Sequence, residues 1–399
     1  MGAPKTGTTY LQTILWDNQD ALGERGVFLP GRNRFDHFSA GFDLRGVKQE
    51  PGDPRKNWDG AWDRLATKIQ NSESDVAVVS DERLASCRIS EAKRVVDSLA
   101  PAEVHVIYVT RDPAGLLSAA WQEHVKHGYR RGFEDWLTDT LNPSGTEWYW
   151  KVHDVGEVLR RWKTAVPHDN LHLVTLPPRG SAPDLLWRRF CSVLDISPDG
   201  VDTDTRANVS LGVEGTELMR RINEKLPDDF PTWQQIGVGR DMLANNVLAK
   251  RQGKTSINVS ERLADQVERY TEKLIADITA SEVDVTGDLD DLRAGATRAT
   301  AMAEDVDVTD AAIDGLAGLM AQTAELRDDW RTMKRELVTA KAQRKAAVHR
   351  AEKAEAALRN RRRAEATRTH RVKRRVVALG ARSRPVGAAL RVYRRLRRG

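Results

Sequence analysis

Hydrophobic and polar positions alternate along the first half of the chain in a pattern that predicts strands separated by helices. Short, mostly apolar runs predict buried parallel strands at Val76 to Ser80, Val104 to Thr110 and Leu171 to Leu176. Apolar residues recur at helical spacing in seven segments: Thr9 to Leu22, Gly60 to Gln70, Glu91 to Leu99, Pro113 to His127, Glu147 to Ala165, Pro183 to Leu194 and Arg206 to Leu226. This alternation predicts an α/β domain over residues 1–292, with a parallel sheet flanked by helices.

A different period follows in residues 293–358, which we expect to form a helical linker and a coiled coil. Arg344 interrupts the pattern once, and the other positions, spaced alternately by four and three residues, are Leu326, Trp330, Met333, Leu337, Ala340, Ala347, Ala351, Ala354 and Leu358. A seam of this period predicts a coiled coil, which would join copies of the chain into a homo-oligomer. The same pattern also fits a single long helix lying against the body of the protein.

Positive charge is concentrated in the tail, residues 359–399. The chain has a net charge of +5, but the tail holds 16 lysines and arginines and one acidic residue, Glu365, so its charge is +15 and the rest carries −10. Arginines interspersed with apolar residues predict an amphipathic or disordered tail that binds an anionic membrane surface. A solvated tail is the alternative. Nucleic acid is a less favoured partner, because Tyr393 is the one aromatic residue available for base stacking.

The cysteine content and the length of the apolar runs limit the cellular setting. Two cysteines, Cys87 and Cys191, exclude a disulfide scaffold and favour a reducing compartment. Apolar runs such as Val106 to Val109 are far shorter than the ~20 residues of a membrane span. We therefore expect a cytoplasmic protein whose tail associates peripherally with the inner face of the membrane.

The chain begins with a glycine-bearing loop that runs into the first predicted helix. Gly2 and Gly7 permit backbone conformations that other residues disfavour, and amides at a helix start attract anions. Lys5 adds a positive charge, and Thr8 and Thr9 add hydroxyl groups. These features predict a phosphate-binding loop. Nucleoside triphosphatases place a lysine directly after the second glycine, where this chain has Thr8.

This loop resembles the 5′-phosphosulfate loop of sulfotransferases that use 3′-phosphoadenosine 5′-phosphosulfate (PAPS). That loop reads Pro-Lys-Ser/Thr-Gly-Thr-Thr, and the matching residues are Pro4, Lys5, Thr6, Gly7, Thr8 and Thr9. A second element is similar to the 3′-phosphate site of the family, with Arg111 at a strand end and Ser118 on the following helix. The resemblance is to the bacterial and carbohydrate-type branch.

The resemblance implies a P-loop-like sulfotransferase fold and a reaction without a metal. PAPS would donate a sulfuryl group to a hydroxyl or amine of a carbohydrate, glycolipid or other small acceptor. Lys5 would neutralise the charge that develops on the leaving phosphate oxygen. Two residues are candidates for the base: Glu82, which follows the strand at Val76 to Ser80, and His37, in a segment that we expect to be a loop near the acceptor.

Two other functions fit part of the pattern. A magnesium-dependent kinase or nucleoside triphosphatase would use Asp81, after an apolar strand, to hold the metal. A non-catalytic coiled-coil adaptor at the membrane would explain why no strand precedes Gly2, although we expect instead that the chain starts upstream of Met1. His124 and His127 lie one turn apart, and we expect them on a solvated helix face, near the acceptor, rather than in a metal site.

Overall fold

The structure is a computed structural model that describes residues 2–48, 57–142, 148–205, 210–293, 298–299 and 305–396. Two compact units divide the chain, one ending at Met320 and one beginning at Ala321. The strands are β1 (Val27–Phe28), β2 (Val76–Ala77), β3 (Val106–Thr110), β4 (Leu171–Thr175), β5 (Val259–Ser260), β6 (Asp284–Thr286) and β7 (Arg298–Ala299). Helices predominate, and the first unit combines them with small parallel sheets.

Three parallel strands, in the order β3-β4-β6, form the central sheet. Every residue of β3 is buried, as expected for a strand covered on both faces. Gly2 pairs in parallel with Val109, on the other side of β3 from β4. The remaining strands pair in parallel as β1-β2 and β5-β7. The chain therefore passes along β3 immediately before it enters the loop at residues 4–9.

Helices surround these strands and supply most of the core. Those of the first unit are α1 (Thr8–Asp17), α2 (Gln19–Gly23), α3 (Arg34–Leu44), α4 (Ala61–Gln70), α5 (Ile89–Leu99), α6 (Pro113–Lys126), α7 (Phe133–Leu141), α8 (Trp148–His153), α9 (Val155–Trp162), α10 (Leu185–Leu194), α11 (Gly212–Lys225), α12 (Thr232–Gln234) and α13 (Glu261–Ser281). Short 3₁₀ turns span Glu82–Ser86, His168–Asn170, Leu248–Lys250 and Leu289–Arg293, and a π-helix spans Gln235–Asn245. One buried cluster joins α1 and α10 to β1, β3 and β4, which fixes the loop before α1 against the sheet.

The predicted elements are present, but several were predicted too long. The helix predicted at Thr9 to Leu22 divides at Asn18, whose side chain bonds the Ile14 carbonyl and ends α1. The helix predicted at Glu147 to Ala165 divides at Asp154, whose carboxylate accepts the Glu157 amide and starts α9. The strand predicted at Val76 to Ser80 ends at Ala77, and the prediction that it is buried was wrong, because Val76 is half-buried and Ala77 is exposed. Residues 147 and 206–209 lie outside the described part of the chain.

The second unit is helical. Helix α14 (Thr309–Arg382) begins in the first unit, where Ala311 is buried, and α15 (Arg384–Leu396) follows it. Residues 359–396 of the tail are thus helical, apart from a break at Ser383. Among the residues described, no helix combines the length and the apolar character that a membrane crossing requires.

Candidate active site

The loop at residues 4–9 makes a tight turn between the sheet and α1. Lys5 and Gly7 both adopt left-handed backbone conformations, with φ angles of 68° and 90°. A side chain at Gly7 would place its Cβ 2.6 Å from Leu186, so the turn requires glycine for its φ angle and for its packing. The buried Thr6 hydroxyl donates a hydrogen bond to the Ala3 carbonyl, which stabilises the turn. Gly7 is the N-cap residue of α1, and because it has no side chain, the first amides of the helix have no side-chain cap.

The Lys5 amine takes part in a half-buried ion cluster with α6. Lys5 Nζ lies 2.6 Å from Glu123 Oε2, and Lys126 Nζ lies 3.6 Å from the same oxygen. Burial raises the pKa of Glu123, but the charges of Lys5 and Lys126 outweigh that effect and lower the pKa to about 2. Burial lowers the pKa of Lys126 despite the opposing effect of Glu123. Two cations therefore share one carboxylate beside the loop.

Arg111 brings the second motif into contact with the first. It follows β3, and its Nη1 donates a 3.3 Å hydrogen bond to the Lys5 carbonyl. Its Nε and Nη2 bond Asp112 Oδ1 at 3.1 and 2.9 Å. The other Asp112 oxygen accepts the Gly115 amide at 2.6 Å and caps α6. The guanidinium is thus held in one orientation across the start of α6.

Ser118 lies on α6 as predicted, but its hydroxyl points back along the helix. The side chain is buried, and its Oγ donates to the Ala114 carbonyl at 3.1 Å. The structure therefore joins Arg111 to the loop through Lys5, whereas the Ser118 hydroxyl is engaged within its own helix.

Gly115 is a site residue that the sequence reasoning missed. A Cβ at this position would lie 2.4 Å from Arg111 Nη2 and 2.4 Å from Asp112 Oδ2. The absence of a side chain allows the guanidinium to lie flat across the first turn of α6. The sequence did contain a signal for this residue: a glycine three residues after a helix-capping aspartate that directly follows an arginine.

Glu82 stands opposite the loop, at the start of the turn Glu82–Ser86. The Thr8 hydroxyl donates to Glu82 Oε1 at 2.6 Å, which brings this candidate base to the first residue of α1. Burial raises the pKa of Glu82, opposed by the hydrogen bond from Thr8. The carboxyl group is thus a better proton acceptor than a solvated glutamate. Thr9, the next residue, is partly exposed on α1.

His37 lies in helix α3 and not in the predicted loop, because Asn33 caps this helix by accepting the Phe35 amide. Both ring nitrogens are engaged. Nε2 lies 2.8 Å from the Pro30 carbonyl, and Nδ1 accepts the Ser80 amide at 3.2 Å. Burial lowers the pKa of His37, so the ring is neutral and supports the segment that leads to Glu82.

Asp81, the residue that a kinase would use for magnesium, is paired with an arginine. Arg83 Nη1 contacts both Asp81 oxygens, at 2.8 and 2.7 Å. The same guanidinium stacks on Phe38, 3.7 Å from the ring centre. Asp81 therefore acts as the capping residue of the Glu82–Ser86 turn, with its charge compensated.

An open cavity of about 510 Å³ adjoins the ion cluster at the end of α6, lined by Glu123, His124, His127, Gly128 and Tyr129. His127 is exposed, as predicted, but His124 is half-buried and packs against Tyr129 and Trp136. The cavity is large enough for a small organic molecule and has polar groups on its wall.

Comparison with protein family models, with curated proteins and with solved structures found no match to this chain. Its function must therefore be argued from the site itself.

Proposed function

We propose that this chain is a PAPS-dependent sulfotransferase with a P-loop-like fold, acting on a hydroxyl or amine of a carbohydrate, glycolipid or other small acceptor. The observation that carries the proposal is the hydrogen bond from Arg111 to the Lys5 carbonyl. It joins two motifs that are distant in sequence, each of which suits one phosphate group. A donor with a 5′-phosphosulfate and a separate 3′-phosphate would use both.

The geometry of the loop supports its role at the 5′ end of such a donor. The first amides of α1 carry no side-chain cap, and the nearby ion cluster has more cations than anions. PAPS, when bound, supplies a sulfuryl group on an activated bond to phosphate. The residues that would hold its phosphosulfate are Pro4, Lys5, Thr6, Gly7, Thr8 and Thr9.

Arg111 and Ser118 would hold the 3′-phosphate. Arg111 is already oriented by Asp112, so little side-chain freedom is lost when a phosphate binds. The Ser118 hydroxyl would exchange its bond to Ala114 for one to the phosphate. Because a hydroxyl rotates freely about its Cα–Cβ bond, this exchange requires no movement of α6.

Glu82 is the base in this proposal. As the acceptor oxygen bonds to sulfur and the bond from sulfur to the phosphate oxygen breaks, Glu82 takes the acceptor proton. Lys5 stabilises the charge that develops on the phosphate oxygen. His37 is less suitable, because both of its ring nitrogens are engaged within the fold. The products are the sulfated acceptor and adenosine 3′,5′-bisphosphate.

Calorimetric titration of adenosine 3′,5′-bisphosphate without magnesium tests the proposal. We expect binding that is weakened by Lys5→Ala and by Arg111→Ala. The matched controls are Lys93→Ala, an exposed lysine on α5, and Arg160→Ala, an exposed arginine paired with Glu157 on α9. These controls should bind like the unaltered protein, because they remove the same charges far from the motif.

Two outcomes would contradict the proposal. The bisphosphate could fail to bind, or it could bind equally well to the Lys5→Ala and Arg111→Ala variants. Binding of ATP that requires magnesium, with no response to the bisphosphate, would favour the kinase instead. That result would also require Arg83 to release Asp81.

A further inference from the structure

Helix α14 carries a seam of large apolar side chains that face solvent within the second unit. The members, each more than half exposed, are Leu326, Trp330, Met333, Leu337 and Leu358. A long helix gains little stability from local propensity alone, and an exposed apolar seam favours association. We therefore expect this seam to pack against a partner helix.

The seam has the heptad positions of a coiled coil. With Leu326 at d, the a positions are Trp330, Leu337, Arg344, Ala351 and Leu358, and the d positions are Leu326, Met333, Ala340, Ala347 and Ala354. The large residues lie in the N-terminal half. The C-terminal half is mostly alanine up to Leu358. The a and d side chains are thus larger in the N-terminal half of the seam than in the C-terminal half.

We propose that this seam pairs with the seam of a second copy of the chain in antiparallel orientation, about a twofold axis near Ala342. In an antiparallel pair each a position faces a d position. The five layers then match Leu326 with the partner's Leu358, Trp330 with the partner's Ala354, Met333 with the partner's Ala351, Leu337 with the partner's Ala347, and Ala340 with the partner's Arg344. Four of these layers place a larger side chain against an alanine, so the helices pack at a nearly constant separation.

A parallel pair packs the same seam poorly. It would place Trp330 against the partner's Trp330 and alanine against alanine further along, so that the helix separation would have to change. It would also bring Arg344 against the partner's Arg344 inside the seam. The antiparallel arrangement avoids both costs, because Arg344 lies beside the small side chain of the partner's Ala340.

Charges that flank the seam follow the same twofold relation. In antiparallel coiled coils, g positions approach g positions and e positions approach e positions. Glu336, at g, then approaches the partner's Arg350, and Arg327, at e, approaches the partner's Glu355. Each half therefore complements the other in size along the seam and in charge at these two pairs. Because α14 is one continuous helix, its own second half cannot fold back onto its first half, and a second copy of the chain supplies the same complement.

Sedimentation of the full chain gives the first test. We expect a dimer of about 89 kDa, twice the chain mass of 44.7 kDa. Glu336→Arg should weaken self-association by roughly tenfold, because two attractive pairs per dimer become repulsive. Adding Arg350→Glu in the same chain should restore it. In a parallel dimer this double change would instead repel the partner's Lys341 and the partner's Glu355, and so weaken association further.

Disulfide capture tests the orientation independently. Chains with Met333→Cys mixed with chains carrying Ala351→Cys should give a mixed cross-linked dimer, because the two positions share a layer. Neither variant should cross-link to itself, because copies of one position lie about 27 Å apart along the antiparallel axis, beyond disulfide reach. Ala356→Cys, on the outer face, is the matched control and should not cross-link with Met333→Cys.

A monomer at every concentration tested would overturn the proposal. A dimer in which Ala351→Cys cross-links to itself, or in which the double charge exchange fails to restore association, would overturn the antiparallel orientation. The native Cys87 and Cys191 are buried, and the unaltered chain gives their background.

Discussion

Replacing Glu123 with glutamine removes the negative charge that Lys5 and Lys126 share. These cations lower the pKa of Glu123 from 4.5 to about 2. At about 1.4 kcal/mol per pKa unit, the difference corresponds to about 3 kcal/mol that stabilises the ionised carboxylate in the folded state. The Glu123 side chain is only 29% exposed, so solvent screens this interaction weakly. Glu123→Gln should therefore lower the free energy of unfolding by about 3 kcal/mol at neutral pH.

The pH dependence of this loss has a definite sign. The pKa of Glu123 is lower in the folded state than in the unfolded state, so its contribution is fully present above about pH 4.5. It is lost as the pH falls from there toward 2, because the folded protein must then take up the proton. The difference in unfolding free energy between the unaltered protein and Glu123→Gln should shrink over the same interval.

Urea unfolding monitored by tryptophan fluorescence measures this difference in unfolding free energy for the first unit of the chain. All of the 11 tryptophans except Trp330 precede Ala321, so the signal reports mainly on the first unit. Glu73→Gln, an exposed position before β2, is the matched control and should change the free energy by less than about 0.5 kcal/mol. Equal stability of the two variants at neutral pH would refute the argument, as would a Glu123→Gln deficit that persists undiminished at pH 2.

Three further predictions concern the proposed activity and the tail. Glu82→Gln should lower the rate of sulfuryl transfer by a factor of roughly 10² to 10⁴ without weakening bisphosphate binding. In the unaltered protein, the rate should rise with pH through a pKa above that of a solvated glutamate. A rate that Glu82→Gln leaves unchanged would exclude Glu82 as the base. Gly115→Ala should weaken bisphosphate binding in calorimetry, because its Cβ would displace Arg111, whereas Gly23→Ala, with open space around its Cβ, should not; equal affinities would contradict this. Deleting the chain from Arg359 onward should abolish flotation with vesicles containing anionic lipid, and unchanged flotation would exclude the tail as the membrane contact.

The elements that the sequence predicted well carry their signals locally. Strands β3 and β4 are mostly apolar runs buried in the sheet, so the apolar character of these short runs was sufficient to predict them. Asp112 caps α6 and Pro113 occupies its first turn, which fixed the start of that helix. The split at Asp154 was also marked by a capping residue, but the hydrophobic pattern continued across it and dominated the prediction.

The interactions that complete the site depend on tertiary contacts and had no local signal. Nothing in the sequence near Lys5 indicates Glu123, which reaches it from the far end of α6. The environment of His37 is set by the Pro30 carbonyl on one segment and the Ser80 amide on another, so its hydrogen-bond partners could not be inferred from the residues beside it in the sequence. Motif residues were therefore predictable individually, whereas their charge partners were not.

The ion cluster bears on how the proposed donor would bind. Lys5 has a left-handed backbone conformation that only the surrounding turn maintains, and its amine is held by Glu123. An incoming phosphosulfate must compete with that carboxylate for Lys5. Lys126 remains beside Glu123 when Lys5 leaves, so the half-buried carboxylate keeps a counter-charge. The second lysine thus lowers the electrostatic cost of transferring Lys5 from Glu123 to an anion.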